Sequence, residues 1–167
     1  VFETLALAES LGRVLAEDIT SPSNVPNYNN SAMDGYALKA TDVSASRLMV
    51  IGTAFAGKAF EGTIADGQCV RIMTGGAIPK GADTVVVQEK TVVDGKFINI
   101  IEAPKPHANV RYAGEDLKRG QEVLARGHLI RAADVGLIAS LGLSKVSVYR
   151  KLKVAIFSTG DELTGVG

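Results

Sequence analysis

The chain carries a single cysteine and two histidines in 167 residues. A disulfide framework within one chain is therefore excluded, and so is a Cys/His metal cluster. Cys69 sits in an apolar run and reads as a buried thiol, not a nucleophile. With only His107 and His128, general-base capacity is small. No Ser–His–Asp or Cys–His arrangement can be assembled. An excess of one charge is missing too: Lys plus Arg and Asp plus Glu number 18 each, and the formal net charge is zero. A nucleic-acid partner, which calls for a basic excess, is not expected; a local basic pocket for a small anion stays open. The longest nearly apolar run, Val135 to Leu143, is too short to span a bilayer, so no membrane partner is expected. No basic start followed by an apolar core marks a signal peptide, and the expected location is cytoplasmic. Repeats and low-complexity tracts are lacking as well.

What is present suits a folded chain: 46% of residues are hydrophobic, enough for a core. Ala8 to Leu11 reads as a short helical turn stopped by Gly12, with extended segments around it. A continuous helix from Thr4 to Ile19 is the competing reading, because Leu5, Ala8, Leu11 and Leu15 share a face. Residues 21–30, with Pro22 and Pro26, form a loop. Strands are expected near 48–54, 69–73, 84–88, 90–93 and 97–101. Asp94-Gly95 is read as the loop of a hairpin between the last two. The best helical pattern runs from Ala132 to Leu141, with Gly142 as its stop. Val146–Tyr149 reads as a strand. Val154–Phe157 reads as a strand buried on both faces, as in parallel sheets. A β-rich middle between two mixed segments suggests one domain inserted into another.

Four stretches combine the residue types that bind ions and oxyanions. Asn30-Ser31-Ala32-Met33-Asp34-Gly35-Tyr36-Ala37 reads as a tight turn before a strand, with the Asp34 carboxylate at its apex. That carboxylate either shapes the turn or holds a hydrated divalent cation. Arg71-Ile72-Met73-Thr74-Gly75-Gly76 is a strand entering a Gly-rich turn, where backbone N–H groups and the Thr74 hydroxyl can approach an anion. Arg111-Tyr112-Ala113-Gly114-Glu115-Asp116 sets a guanidinium, able to clamp an oxyanion, near two carboxylates. Ser158-Thr159-Gly160-Asp161-Glu162 follows the 154–157 segment, and ligands gather at the carboxyl ends of parallel strands. Helix capping by Ser158 or Thr159 is the structural alternative there.

Taken in order, these segments, together with Leu11 to Asp18 and Gly81-Ala82-Asp83-Thr84-Val85-Val86, resemble the N-terminal part of the molybdopterin molybdenumtransferase (MoeA) family. The resemblance implies a mainly β fold with some α: coiled, bifurcated β-sheets in an elongated domain with an inserted β domain. It divides the chain into an elongated dimerisation domain (1–20 and 121–152), the inserted domain (21–120), and the first strand of a truncated α/β molybdopterin-binding domain (153–167). It implies insertion of molybdate into adenylylated molybdopterin with Mg²⁺-assisted release of AMP. Catalytic status is carried onto Asp34, Thr74, Asp116 and Glu162, with Asp34, Asp116 and Glu162 as candidate Mg²⁺ ligands. Substrate binding falls to Arg111, Ser158 and Thr159. The implied partners are a second copy of the chain and the molybdopterin adenylyltransferase.

Two positions depart from the family pattern. Asn29 stands where Asp is common, and Gly76-Ala77 replaces Ala-Pro, which is expected to loosen the loop after Thr74. Most of a third domain and all of a fourth would lie outside the chain, so it is expected to be inactive alone. A non-catalytic scaffold of the same architecture is the alternative reading.

Overall fold

The computed structural model describes residues 1–44, 47–157, 159–160, 162 and 164–165. In chain order the strands are β1 (Phe2–Ala6), β2 (Ile19–Thr20), β3 (Asn30–Ser31), β4 (Gly35–Leu38), β5 (Leu48–Ala54), β6 (Gln68–Ile72), β7 (Thr84–Val87), β8 (Thr91–Asp94), β9 (Phe97–Ile100), β10 (Val110–Arg111), β11 (Glu122–Leu124) and β12 (Lys145–Tyr149). The α-helix α1 (Ala132–Ser140) lies between β11 and β12. The chain divides into two compact units, one of Val1–Ile19 with Glu122–Gly167 and one of Thr20–Gln121.

In the first unit β1 pairs antiparallel with β12, Phe2 opposite Tyr149 and Ala6 opposite Lys145. The chain then enters a 3₁₀ turn, Leu7–Glu9, tied by the buried Ser10 hydroxyl donating to the Leu7 carbonyl at 2.7 Å. The short-turn reading of this segment holds against a continuous helix. Helix α1 starts where Asp134 accepts the Arg131 N–H at 2.8 Å, supplying a carboxylate to an otherwise unpaired helix N–H. His128 Nε2 meets the same oxygen at 2.7 Å, and together these hold the Asp134 carboxyl below its ordinary range, His128 contributing most. Gly142, at φ 79°, ends the helix. Leu7, Leu15, Ile130, Ile138, Val146 and Val148 are buried.

Val154–Phe157 corrects the sequence reading. It forms no strand, and Val154 and Ile156 are 76% and 88% exposed. A strand buried on both faces needs neighbours along its edges and layers above and below. No strand among the described residues pairs with this segment, so its apolar character has nothing to bury against.

The second unit is built on a six-stranded sheet in the order β7-β4-β6-β5-β9-β8. All its pairings are antiparallel except β5 with β6. Both faces are covered. One carries Tyr36, Leu38, Leu48, Cys69, Val86 and Ile98; the other carries Ala37, Val70, Ile72 and Val85, in one buried cluster with Ile64. The alternation of adjacent residues between the two sets (Tyr36 and Ala37, Cys69 and Val70, Val85 and Val86) is the period of two that a strand imposes. Cys69 is fully buried, and burial pushes its thiol up to about 12, so it carries no thiolate at neutral pH. The β8–β9 hairpin forms one residue further on than the sequence suggests. Asp94 pairs with Phe97, which leaves Gly95-Lys96 as the loop. Gly95 takes φ 60° at the first loop position, the demand of a type II′ turn.

Candidate functional site

Sheet register decides which loops meet. In the antiparallel β4–β6 pair Gly35 lies opposite Ile72, so the residues before β4 face those after β6. Gly35 also lies opposite Val87 of β7, which brings Gln88 and Glu89 to the same end of the sheet. Asp34 and Thr74 are thereby brought together. The Thr74 N–H and hydroxyl both donate to Asp34 Oδ1, each at 2.7 Å. The Asp34 carboxyl is held below its ordinary value, first by the Thr74 backbone, then by the Thr74 hydroxyl, with Arg71 adding a smaller attraction. Both bonds fall on Oδ1, which leaves Oδ2 for a cation or a water.

The turn carrying Asp34 is braced on two sides. Ser31 is buried, and its hydroxyl donates to the Met33 carbonyl at 2.6 Å. On one flank the Gly75 N–H donates to Ser31 O at 2.8 Å, and the Ser31 N–H to Gly76 O at 3.0 Å. On the other flank the Ala32 N–H donates to Asn109 O at 2.9 Å. The Gly76 N–H also reaches Met73 O at 2.8 Å, so the loop after Thr74 is closed by hydrogen bonds. Gly35 has a different reason for being glycine than the turn reading gives it. Its φ is not in the left-handed region; a Cβ there would overlap the Val86 carbonyl oxygen across the strand pair.

Arg111 and Asp116 are also brought together. Arg111 Nη2 donates to Asp116 Oδ1 and Oδ2 at 2.7 and 2.6 Å, and Nε reaches Glu115 at 3.4 Å. Asp116 raises the Arg111 pKa still further. The pair sits on the same β3 framework, since β10 sets Arg111 opposite Asn30 while Asn30 bridges to Ala77 on its other side. Asn29 Oδ1 accepts the Ala113 N–H at 2.9 Å. An aspartate could accept that bond too, so the departure removes a charge and keeps the contact.

The remaining candidates lie in the other compact unit. Thr159 and Glu162 are exposed and outside regular structure; Ser158 lies outside the described residues. Among the described residues no three Asp, Glu, His or Cys side chains are grouped to hold a metal ion. The donor set suits Mg²⁺ only in its minimal form, one or two carboxylates completed by water and phosphate oxygens. Asp34 fits that requirement; Asp116 does so only after leaving Arg111.

Sequence reasoning passed over Arg71. Its Nη1 donates to Gly35 O at 3.1 Å, its Nη2 to Gln88 Oε1, and its guanidinium lies 5.1 Å from the Tyr36 ring centroid. The signal was its place in a strand three residues before Thr74, where it faces Tyr36 across the β4–β6 pair.

No helix among the described residues is long and apolar enough to cross a membrane. The chain is 47% identical over 99% of its length to a molybdopterin molybdenumtransferase of Haemophilus influenzae, of which it covers 41%. It is 39% identical over 96% of its length to a protein of that name from Nostoc, covering 38% of it. Gephyrin of Dictyostelium discoideum is 36% identical over 97% of the chain, which covers 25% of that protein. In structure the chain is similar to a molybdopterin biosynthesis MoeA protein of Pyrococcus horikoshii, with a TM-score of 0.83 and 36% identity over 89% of this chain and 41% of that one. The chain thus spans about two fifths of the two molybdenumtransferases it matches. Residues 2–142 match the MoeA N-terminal region (domain I and II), and the chain belongs to that family.

Proposed function

We propose that this chain is part of an enzyme that inserts molybdate into adenylylated molybdopterin and releases AMP. The observation that carries the reading is the Asp34–Thr74 clamp in a chain 47% identical over nearly its whole length to a molybdopterin molybdenumtransferase. Asp34 stays ionised at neutral pH and is fixed through one oxygen, so its other oxygen is positioned for a hydrated cation or a water. Mg²⁺ on Asp34 would neutralise negative charge on the phosphate that leaves as AMP; Asp116, once released from Arg111, and Glu162 are the further candidate carboxylates. Thr74 positions Asp34 and presents its loop to the substrate. Arg111 takes an oxyanion in exchange for Asp116, and Ser158 and Thr159 are further candidate substrate-binding residues.

The active protein is a cytoplasmic homodimer that receives its substrate from the molybdopterin adenylyltransferase. The exposed residues of α1 support the dimer: Ala133, Gly136 and Ala139 are small and uncharged and allow close approach of a second copy. A molybdate-insertion assay tests the reading. Turnover is expected from the whole protein and none from this chain alone. Absence of AMP release by the whole protein supplied with both substrates would refute it.

A further inference from the structure

The same sheet end that carries Asp34 and Thr74 also carries a cleft unused by the reading above. β5 runs parallel to β6, with Ala54 level with Ile72, so the turn after β5 emerges beside the turn after β6. That turn is a tight one. Phe55 and Lys58 exchange backbone hydrogen bonds at 2.9 and 3.1 Å, and Gly57 supplies the left-handed residue at φ 76°. Between it and the chain ahead of β3 lies a cleft of about 240 Å³ lined by Tyr28, Phe55, Gly57, Lys58, Ala59 and Ala77. The cleft adjoins the Thr74 loop: Ala77 lines it, and the Tyr28 hydroxyl donates to the Gly75 carbonyl at 3.4 Å.

Two aromatic rings flank this cleft, and both are left in solvent, Tyr28 at 42% and Phe55 at 47% exposure. Exposed aromatic rings lining a cleft offer π-surface to a flat ligand. Lys58 makes no ion pair among the described residues, so its ammonium is available to an anion. The volume is below the ~300 Å³ at which pockets for whole drug-sized ligands begin, which suits one ring system of a larger molecule.

We propose that the Tyr28–Phe55 cleft takes the planar heterocycle of a phosphorylated ligand, with Lys58 meeting its phosphate. This deepens the function proposed above and rests on it, because such a substrate carries two heterocycle–phosphate units, an adenylate and a pterin. The cleft sets one of them beside the Asp34–Thr74 clamp.

The test is calorimetric titration of the whole protein with AMP, neopterin monophosphate and, as a ringless control, ribose 5-phosphate. Variants Phe55→Ala and Lys58→Ala touch exposed side chains, and an unchanged thermal midpoint verifies their fold. One of the two ring ligands is expected to bind at least about tenfold more tightly than ribose 5-phosphate and to lose about tenfold in each variant. The ligand that loses affinity identifies the unit bound. Equal affinities in wild type and both variants would overturn the assignment, and so would failure of both ring ligands to bind. Neither result bears on molybdate insertion, so the subsite and the reaction fail separately.

Discussion

Asp34 and Asp116 are two carboxylates on one loop framework, restrained in opposite ways. Asp34 is held through a single oxygen by two neutral donors of Thr74. Its charge is uncompensated by a bonded cation, and Oδ2 is left over. Asp116 gives both oxygens to one guanidinium, so its charge is cancelled by its neighbour. On the proposed reading, the first would be a fixed carboxylate for a cation, and the second would be a latch that opens when an anion competes for Arg111. Neutral donors leave the carboxylate charge uncompensated; a guanidinium balances it, and that difference separates two aspartates that both lie in Gly-containing loops.

The largest effect is expected from removing the charge of the fixed carboxylate. Asp34→Asn keeps an oxygen for Thr74, so stability should change little, while molybdate insertion by the whole protein should fall by about 100-fold or more. Asp34→Ala should lose activity to the same extent and also destabilise, because the Thr74 donors lose their acceptor. If Asp34→Asn retained activity, the carboxylate would be a turn brace and no more. The same variant has a signature in acid. The folded-state pKa of Asp34 is lowered from 3.8, so the stability it contributes is complete above that pH and is lost as pH falls through the lowered value. Denaturant midpoints followed below pH 4 should fall less steeply in Asp34→Asn than in wild type.

How much of this was legible beforehand depends on what each residue answers to. The strands at 48–54, 69–73 and 97–101 were readable as short runs rich in β-branched and other apolar residues. The motifs around Asp34, Thr74, Arg111 and Asp116 were readable as polar residues in Gly-rich loops. Their pairing was not, because which loops meet is set by register: Gly35 opposite Ile72 is a long-range fact with no local mark. Gly35 itself was read for the wrong reason. Its need arises from the Val86 carbonyl across the sheet, which a local turn rule cannot see. Val154–Phe157 failed in the opposite direction. Its sequence states a preference that only a neighbouring strand could satisfy, and no described strand is there.

The second effect probes the frame beneath both carboxylates. Gly35→Ala places a methyl against the Val86 carbonyl oxygen, a backbone atom that cannot rotate away. A loss of about 1–3 kcal/mol in denaturant unfolding is expected. Activity should drop with it, because a displaced β4 end separates Asp34 from Thr74. Gly57→Ala is the control for conformational strain alone. Gly57 also has a positive φ but nothing within 4 Å of an added Cβ, so its cost should stay near 1 kcal/mol. Equal losses in the two variants would mean that overlap with Val86 is not what constrains Gly35.

The smallest effect, and the sharpest contrast with Asp34, belongs to the latch. Arg111 and Asp116 are 40% and 50% exposed, and an ion pair in that setting contributes about 0–1 kcal/mol. Asp116→Asn should therefore shift the unfolding midpoint little, and less at high salt than at low salt. Oxyanion binding should respond in the other direction. With the competing carboxylate removed, Arg111 is free, and phosphate or molybdate titrated into the variant should bind more tightly than in wild type. Asp34→Asn, which frees no guanidinium, should show no such gain. If Asp116→Asn bound oxyanions no better, Arg111 would be a structural partner of its loop, and the two carboxylates would differ in geometry without differing in work.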